Sequence, residues 1–247
     1  MAIWATLDDY LPMQPGQGLV GRSVANYSFL QALLRYSHFE EFHFFLANRA
    51  HMDAFQKHHK ELFSDLGVED KIKLYERLEL PLALRANDYT VFHLSDHITS
   101  FSSLCFLRNR YGNFPVSASI HSLSYQRFMR AYAEYSLGGI CEHDLLLCSS
   151  QAGKEVVQKC LREVSAKSYL KAPDLSFEVI PLGLDGQTLP KKQVSRESLR
   201  HELGVDRDAV IGLSFGRFSD VDKMDILPVL NAFAQIAREN PKAHLWL

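Results

Sequence analysis

The sequence predicts an α/β protein built on an open, doubly wound parallel sheet. Short β-rich runs alternate with amphipathic helical stretches from the amino terminus to about Ile180. Several of the β-rich runs are almost continuously apolar, as DLLLC is at 144–148, and a strand that helices cover on both faces has that composition. Repeated β-α alternation with such strands is typical of a Rossmann-like sheet.

The predicted strands are rich in apolar and β-branched residues, and the predicted helices between them are amphipathic. The strands lie at 2–7, 42–47, 71–75, 90–94, 115–121, 144–149 and 177–181. The helices lie at 23–36, 52–63, 99–110, 126–138 and 151–162. The first helix has an apolar stripe whose three-to-four-residue spacing would pack one face against the sheet, namely Val24, Tyr27, Leu30 or Gln31, and Leu34.

The composition of the chain changes after Ile180. Proline and glycine residues and the pair Lys191–Lys192 fall within 181–192, which is typical of a linker. A short helix at 196–203, a buried strand at 209–215, a helix at 226–239 and the start of a strand at 244–247 then begin a second β-α-β unit. We therefore predict an N-terminal domain over 1–185, a linker over 186–198 and an incomplete second Rossmann-like domain over 199–247. Because the last strand is cut short, we expect the chain to be a fragment.

The composition excludes several classes of protein. Hydrophobic residues make up 47% of the 247 residues, and 27 Lys and Arg against 29 Asp and Glu leave a net charge of −2. A disordered chain would combine low hydrophobicity with a large net charge. A nearly neutral chain has no overall positive field that would attract nucleic acid. We therefore predict a globular protein with no nucleic-acid partner.

The amino terminus lacks the features of a signal peptide. No basic segment precedes an apolar run, and Asp8 and Asp9 interrupt the apolar residues. No apolar run approaches the ~18 residues of a membrane-spanning helix. Four cysteines without a C-x-x-C pair are too few for a disulfide framework, and they are Cys105, Cys141, Cys148 and Cys160. We therefore predict a cytoplasmic protein with reduced cysteines.

A glycine-rich loop precedes the first predicted helix. Residues 16–22 read GQGLVGR, in which Gly16, Gly18 and Gly21 form a G-x-G-x-x-G pattern. A dinucleotide site requires these glycines directly after the strand and an acid at the end of the second strand. Eight residues separate the loop from the first strand, and Asn48 stands in place of the acid. A nicotinamide or flavin site is therefore disfavoured, while a loop facing another ligand and an ordinary surface loop both remain open.

Polar residues follow three of the predicted strands, as HLSDH at 93–97, IHS at 120–122 and CSSQ at 148–151. Ligands of open α/β sheets lie outside the carboxyl ends of the strands, so Asp96, Ser149 and Ser150 are candidates to line a cleft. His121 fits a cleft residue or a hydrogen-bonded histidine at the edge of the core. No spacing typical of a metal site occurs, and residues 142–144 are predicted to form a solvated turn.

A glycine and two cations follow the first strand of the second domain. Gly216 and Arg217 come directly after that strand, and Lys223 precedes the next helix. An Arg fork and a Lys charge suit a diphosphate group, with about 1.5–3 kcal/mol for each charge-assisted hydrogen bond. A solvated turn, in which Asp220 and Asp222 neutralise the cations, remains the alternative.

Together these segments resemble the N-terminal domain, linker and start of the C-terminal domain of a GT-B glycosyltransferase, of the large retaining group called family 4. GLVGR at 18–22 is similar to the glycine loop of that family, and VIPLGLD at 179–185 to its V-I-P-N-G-V-D junction between domains. SSQ at 149–151 is similar to its serine segment. FGR at 215–217, with Lys223, is similar to its G-R…K element.

The resemblance implies a role for each matching residue. Gly216, Arg217 and Lys223 would hold the donor diphosphate, and His121 would be the catalytic residue near the transferred sugar. The glycine loop, Gly18, Gly21 and Arg22, would lie beside the donor phosphates and the acceptor. The implied substrates are a nucleotide diphosphate sugar and a carbohydrate, lipid or small-molecule acceptor, with retention at the anomeric carbon and with neither a cofactor nor a metal.

The sequence departs from the family pattern at several positions. Five residues instead of four separate Arg217 from Lys223, Met224 replaces a glycine, and Leu182 replaces the asparagine of the junction. The E-x7-E element that engages the donor has no counterpart here, so we expect the 247-residue chain alone not to be fully competent. Peripheral membrane contact is common in the family, but the helix at 126–138 lacks the basic face that would favour it.

Other functions remain open at this point. A nucleotide-sugar epimerase would have the same architecture. A non-catalytic binding module would be the natural interpretation if the protein ended at Leu247. A dinucleotide oxidoreductase is disfavoured by the context of the glycine loop.

Overall fold

The computed structural model describes residues 1–11, 21–123, 125, 128–183, 186, 194–216, 218–220 and 224–247. The chain forms two compact units, Met1–Leu182 and Gly183–Leu247. Most of the linker predicted over 186–198 lies outside the described residues, so the predicted domain boundaries stay a prediction.

The first unit is built on one parallel sheet of seven strands. The strands are β1 (Ile3–Thr6), β2 (Glu41–Leu46), β3 (Ile72–Glu76), β4 (Tyr89–Leu94), β5 (Val116–Ile120), β6 (Leu145–Cys148) and β7 (Ser176–Val179). The helices are α1 (Gly21–Tyr36), α2 (Arg49–Leu66), α3 (Leu80–Ala86), α4 (Phe101–Tyr111), α5 (Phe128–Tyr135) and α6 (Gln151–Ser168). The predicted α/β alternation is confirmed, and each strand boundary lies within two residues of its predicted position.

The strand order places a switch in the middle of the sheet. The order is β3-β2-β1-β4-β5-β6-β7, and each neighbouring pair is parallel. The chain winds outward from β1 in one direction and then resumes at β4 in the other. The loops that follow β1 and β4 therefore diverge, and the crevice between them is where ligands of such sheets bind.

Apolar side chains cover both faces of the sheet, as the composition of the strands predicted. Trp4, Phe42 and Phe44 face α1 and α2 in one buried cluster, whereas Ile3, Ala5 and Phe45 belong to the cluster under α3 to α6.

The buried face of α1 differs from the predicted apolar stripe. Leu30 and Leu34 are buried, with Phe29 and Leu33 beside them, but Val24 is 45% exposed. The apolar surface of α1 is therefore concentrated in its second half.

The structure contains one helix that the sequence did not predict. Helix α3 follows a short 3-10 turn, Arg77–Glu79, and has Pro81 in its first turn. Its sequence, LPLALRA, is almost entirely apolar, so it lacks the alternation of polar and apolar faces by which an amphipathic helix is recognised.

Helix α2 is longer than predicted because Asn48 caps its amino end and Gly67 ends it in the left-handed region with φ of 60°.

A buried ion pair joins the amino ends of β5 and β6. Asp144 is fully buried directly before β6, and its carboxylate accepts hydrogen bonds from the guanidinium of Arg108 and from the backbone N–H groups of Val116 and Cys141, each at 2.9 Å. Arg108 also donates to the carbonyl of Gly139 at 3.0 Å. The prediction of a solvated turn over 142–144 is therefore wrong for Asp144, because three segments converge on its carboxylate.

The second unit contains a parallel β-α-β arrangement, as predicted, but the prediction that its first strand is buried is wrong, since Val210 and Leu213 are 56% and 70% exposed. The unit consists of α7 (Arg196–Glu202), β8 (Val210–Leu213), α8 (Leu227–Glu239) and β9 (Ala243–Trp246), and β8 pairs with β9 in parallel. In the part of the chain that the structure describes, no helix is long and apolar enough to cross a membrane. All four cysteines have free thiols.

Candidate functional site

The candidate site lies at the carboxyl edge of the first unit's sheet, where the strand order switches. Asp8 follows β1, Asp96 follows β4, His121 follows β5, and Arg22 extends from the first turn of α1. We call these four residues the switch-point cluster. The structure thus brings together three of the predicted site residues, Arg22, Asp96 and His121, with a fourth residue that was not predicted.

Asp96 is the most densely hydrogen-bonded member of the cluster. Its Oδ1 accepts from the backbone N–H groups of Ile98 and Thr99 at 2.9 and 2.8 Å, and its Oδ2 accepts from the Thr99 hydroxyl at 2.9 Å. Arg22 Nη1 lies 3.3 Å from the same Oδ2. Partial burial alone would raise the pKa of Asp96, but these hydrogen bonds and the charge of Arg22 lower it below its ordinary value. Asp96 is therefore a carboxylate at neutral pH.

Asp8 has the opposite electrostatic environment. Burial raises its pKa, and the nearby charge of Asp96 raises it further. A hydrogen bond of 2.6 Å from the backbone N–H of Ser95 to Asp8 Oδ2 opposes that shift only in part. The two carboxyl groups of the cluster thus have pKa values displaced in opposite directions, an arrangement typical of groups with distinct roles in one site. The position of Asp8 after the first strand was the signal that could have identified it.

His121 presents an unpartnered nitrogen atom. Its Nε2 is buried and has no hydrogen-bond partner among the described residues. Burial lowers the pKa of His121, and the charge of Arg22 lowers it further, although the Ser95 backbone and Asp96 partly oppose this. The imidazole is therefore neutral at pH 7, and its buried Nε2 is a polar atom that lacks a partner among the described residues.

Two further histidines lie beneath the cluster in the core. His93 Nδ1 lies 2.9 Å from the Ser117 hydroxyl, and its ring packs against Phe29 with 4.7 Å between centroids. Burial lowers the pKa of His93 to about 3 and that of His97 to about 4. Within the described ranges, no three His, Cys, Asp or Glu residues are arranged to hold a metal ion. Both histidines thus support the site as neutral hydrogen-bonded side chains.

The two predicted serines are exposed at the end of β6, two strands from β4 in the sheet. Ser150 is the N-cap of α6, and its hydroxyl accepts a hydrogen bond of 3.1 Å from the backbone N–H of Gly153. In the described part of the chain, no hydrogen bond joins Ser149 or Ser150 to the switch-point cluster. Their predicted contact with a ligand stays a prediction, and the capping role of Ser150 was not foreseen.

Several predicted residues lie outside the described residues, namely Gly18, Arg217 and Lys223. Gly21 begins α1, and a Cβ added there would meet no described atom within 4 Å. Gly216 follows β8 in the second unit, where an added Cβ would lie 3.2 Å from the Met224 methyl group. The structure describes the close surroundings of Gly21, Arg22 and Gly216 but not the predicted diphosphate contacts.

Comparison with known proteins assigns no family to this chain. No protein-family model matches it, and no curated protein matches it. A charged carboxylate, a carboxyl group with a raised pKa, a guanidinium group and a free imidazole nitrogen line one edge of the sheet. Such a set provides both donors and acceptors for a ligand that is rich in hydroxyl groups.

Proposed function

We propose that this chain is the acceptor-side part of a retaining GT-B glycosyltransferase that uses a nucleotide diphosphate sugar as donor. The main support is the position of the switch-point cluster at the crevice of a parallel sheet with the order β3-β2-β1-β4-β5-β6-β7. A second parallel β-α-β arrangement, with Gly216 three residues after the end of its first strand, agrees with the two-domain organisation of such enzymes.

In the proposed reaction, the bond between the anomeric carbon and the donor diphosphate breaks, and its electron pair leaves with the diphosphate. The acceptor oxygen forms a bond to the same face of the sugar, and its proton passes to a diphosphate oxygen. Arg217 and Lys223 would stabilise the negative charge on the leaving group. His121 Nε2 would hydrogen-bond the sugar. The hydrogen bond with Asp96 would hold the Arg22 guanidinium in place beside the sugar.

The donor half of this proposal is tested through Arg217. We expect Arg217→Ala to weaken binding of a nucleoside diphosphate about 10- to 100-fold, because one charge-assisted hydrogen bond contributes about 1.5–3 kcal/mol. Isothermal titration with UDP, GDP and ADP measures this affinity. Arg196→Ala removes an exposed arginine at the start of α7 and serves as the matched control. Equal affinities for the parent protein and Arg217→Ala would remove Arg217 from the site.

The acceptor half is tested through His121. In a protein that carries a complete donor domain, we expect His121→Ala to slow sugar transfer about 10²- to 10³-fold, because it removes a preorganised hydrogen-bonding group, and to leave nucleoside diphosphate affinity within twofold of the parent value. Release of nucleoside diphosphate from a panel of nucleotide sugars, with and without acceptors, measures the rate. His143→Ala, which changes an exposed histidine before β6, is the control. Turnover of the nucleotide sugar without an acceptor would instead support an epimerase.

A further inference from the structure

The loop that follows β1, residues 7–11, is anchored by two side chains from other parts of the first unit. We call it the β1 loop. Arg77, in the 3-10 turn before α3, donates a hydrogen bond of 2.5 Å from Nη2 to the backbone carbonyl of Leu7. His59 of α2 donates from Nε2 to the backbone carbonyl of Asp9 at 2.9 Å. The backbone of the β1 loop is therefore fixed at both of these carbonyl groups.

Tyr10 has a strained backbone conformation within the β1 loop. Its φ of 48° lies in the left-handed region, which residues with a large side chain rarely adopt. Its ring is 3% exposed and packs against Trp4 and Phe29, with 6.1 and 5.9 Å between ring centroids. Strained residues persist only where the surrounding structure fixes them, and they are concentrated at functional sites. The core thus imposes one conformation on the β1 loop at the switch point.

Asp8 connects the β1 loop to the segment that follows β4. Its Oδ2 accepts a hydrogen bond of 2.6 Å from the backbone N–H of Ser95, a residue that is 6% exposed. The N–H of Asp8 donates to the hydroxyl oxygen of the fully buried Thr6 at 3.1 Å. Because β1 and β4 are neighbouring strands, Asp8 bridges the two loops that diverge at the switch point. The N–H of Ser95 is buried, so the loss of this acceptor has a cost in free energy.

The segment after β4 in turn faces the other members of the switch-point cluster. Asp96 directly follows Ser95, and its Oδ2 lies 3.3 Å from Arg22 Nη1. The Ser95 backbone and the Asp96 carboxylate oppose the lowering of the His121 pKa, because both lie near its imidazole. A displacement of Ser95 would therefore change the surroundings of both Arg22 and His121.

We propose that Asp8 is a positioning residue: its carboxyl oxygen holds the N–H of Ser95 and so fixes the segment against which Arg22 and His121 lie. This role rests on the proposed glycosyltransferase function, in which those two side chains would lie beside the sugar. It requires an oxygen acceptor, but neither a negative charge nor a transferable proton. Burial raises the pKa of Asp8, and a protonated carboxyl group keeps an oxygen that accepts a hydrogen bond.

The test compares Asp8→Ala, which removes the acceptor oxygen, with Asp8→Asn, which keeps an acceptor oxygen and removes the charge. Amide hydrogen exchange is followed by NMR in the whole chain. Exchange at Phe92, which is hydrogen-bonded in the middle of β4, reports unfolding of the sheet, so the ratio of the Ser95 rate to the Phe92 rate gives the local effect. We expect this ratio to rise at least about tenfold in Asp8→Ala, because a buried N–H loses its partner, and to stay close to the parent value in Asp8→Asn.

The imidazole of His121 gives a second readout, which a purely structural role of Asp8 would not change. Its proton and nitrogen NMR signals are assigned by their absence from His121→Gln. We expect these signals to move in Asp8→Ala and to keep their parent positions in Asp8→Asn. If Asp8 only stabilised the fold, folded Asp8→Ala would show the parent signals.

Asp9→Ala is the matched control, because it removes the neighbouring carboxylate of the β1 loop. That carboxylate accepts a hydrogen bond of 3.3 Å from the N–H of Leu11. We expect Asp9→Ala to keep the parent values of the exchange ratio and of the His121 signals. Circular dichroism confirms that each variant is folded.

The outcomes separate this proposal from the function on which it rests. An unchanged exchange ratio or unchanged His121 signals in folded Asp8→Ala would overturn the positioning role. Asp8→Asn that behaves as Asp8→Ala does would also overturn it, since the charge of Asp8 would then be the required feature. Neither readout needs a nucleotide. The expected readouts in a protein that binds no nucleoside diphosphate would retain the role of Asp8 within the cluster and overturn the glycosyltransferase proposal.

Discussion

Asp144→Ala is expected to lower the free energy of unfolding of the first unit by about 3–5 kcal/mol. The substitution leaves the guanidinium of Arg108, which is 3% exposed, without its counter-charge in the core. It also leaves the backbone N–H groups of Val116 and Cys141 without their acceptor. The loss is large because both the charge and the two N–H groups stay buried after their partner has gone. Urea unfolding followed by tryptophan fluorescence measures the change, since Trp4 is buried in the same unit.

A matched control distinguishes the effect of a buried ion pair on the free energy of unfolding from that of an exposed ion pair. Asp53 pairs with Arg49 one turn away on α2, and both side chains are more than half exposed. Asp53→Ala is therefore expected to change the free energy of unfolding by less than about 0.5 kcal/mol. A loss from Asp144→Ala no greater than that from Asp53→Ala would show that the buried pair does not hold β5 and β6 together.

Stability is expected to fall by about 4 kcal/mol between pH 7 and pH 5. In the folded protein, burial lowers the pKa of His93 to about 3 and that of His97 to about 4, so both are neutral over this range. In the unfolded chain, histidine takes up a proton near pH 6.5. Because the unfolded state binds more protons, stability is complete above pH 6.5 and decreases as the pH falls towards 4, by about 2 kcal/mol for each histidine between pH 7 and pH 5.

His93→Phe tests this account because it removes one of these two histidines. The aromatic ring preserves the packing against Phe29, whose centroid lies 4.7 Å from that of His93. We expect the dependence of the unfolding free energy on pH to become shallower by about 1 kcal/mol per pH unit. His143→Gln, at an exposed position, is expected to keep the parent slope. A slope that is identical in the parent and in His93→Phe would show that His93 is protonated in the folded protein.

The secondary structure could be predicted where one local signal was sufficient. An apolar run such as LLLC in β6 indicates a buried strand whatever its neighbours are. The ends of α2 were not predicted, although Asn48 and Gly67 are residue types that begin and end helices. Helix α3 could not be predicted in this way, because its apolar residues are not confined to one face: Leu80 and Leu84 are buried, whereas Leu82 is 68% exposed.

The candidate site could be predicted in part. Asp96 and His121 were identified because the carboxyl ends of parallel strands meet at one edge of a sheet. Asp8 follows the same rule, yet its raised pKa arises from burial and from Asp96, which is distant in sequence. Ser150 was predicted by the same rule and from the family resemblance, and its hydroxyl is engaged with the backbone of α6.

The sequence by itself determined the fold class, the strands and the edge of the sheet at which polar side chains gather, because the period of apolar residues and the composition of strands are local properties. The tertiary structure alone decided which groups meet: Asp8 with Ser95, Arg22 with Asp96, and Arg108 with Asp144. These pairs are 87, 74 and 36 residues apart in the chain. Their contacts follow from strand order and from the packing of helices, which set the burial and the charge around each group and so determine its chemistry.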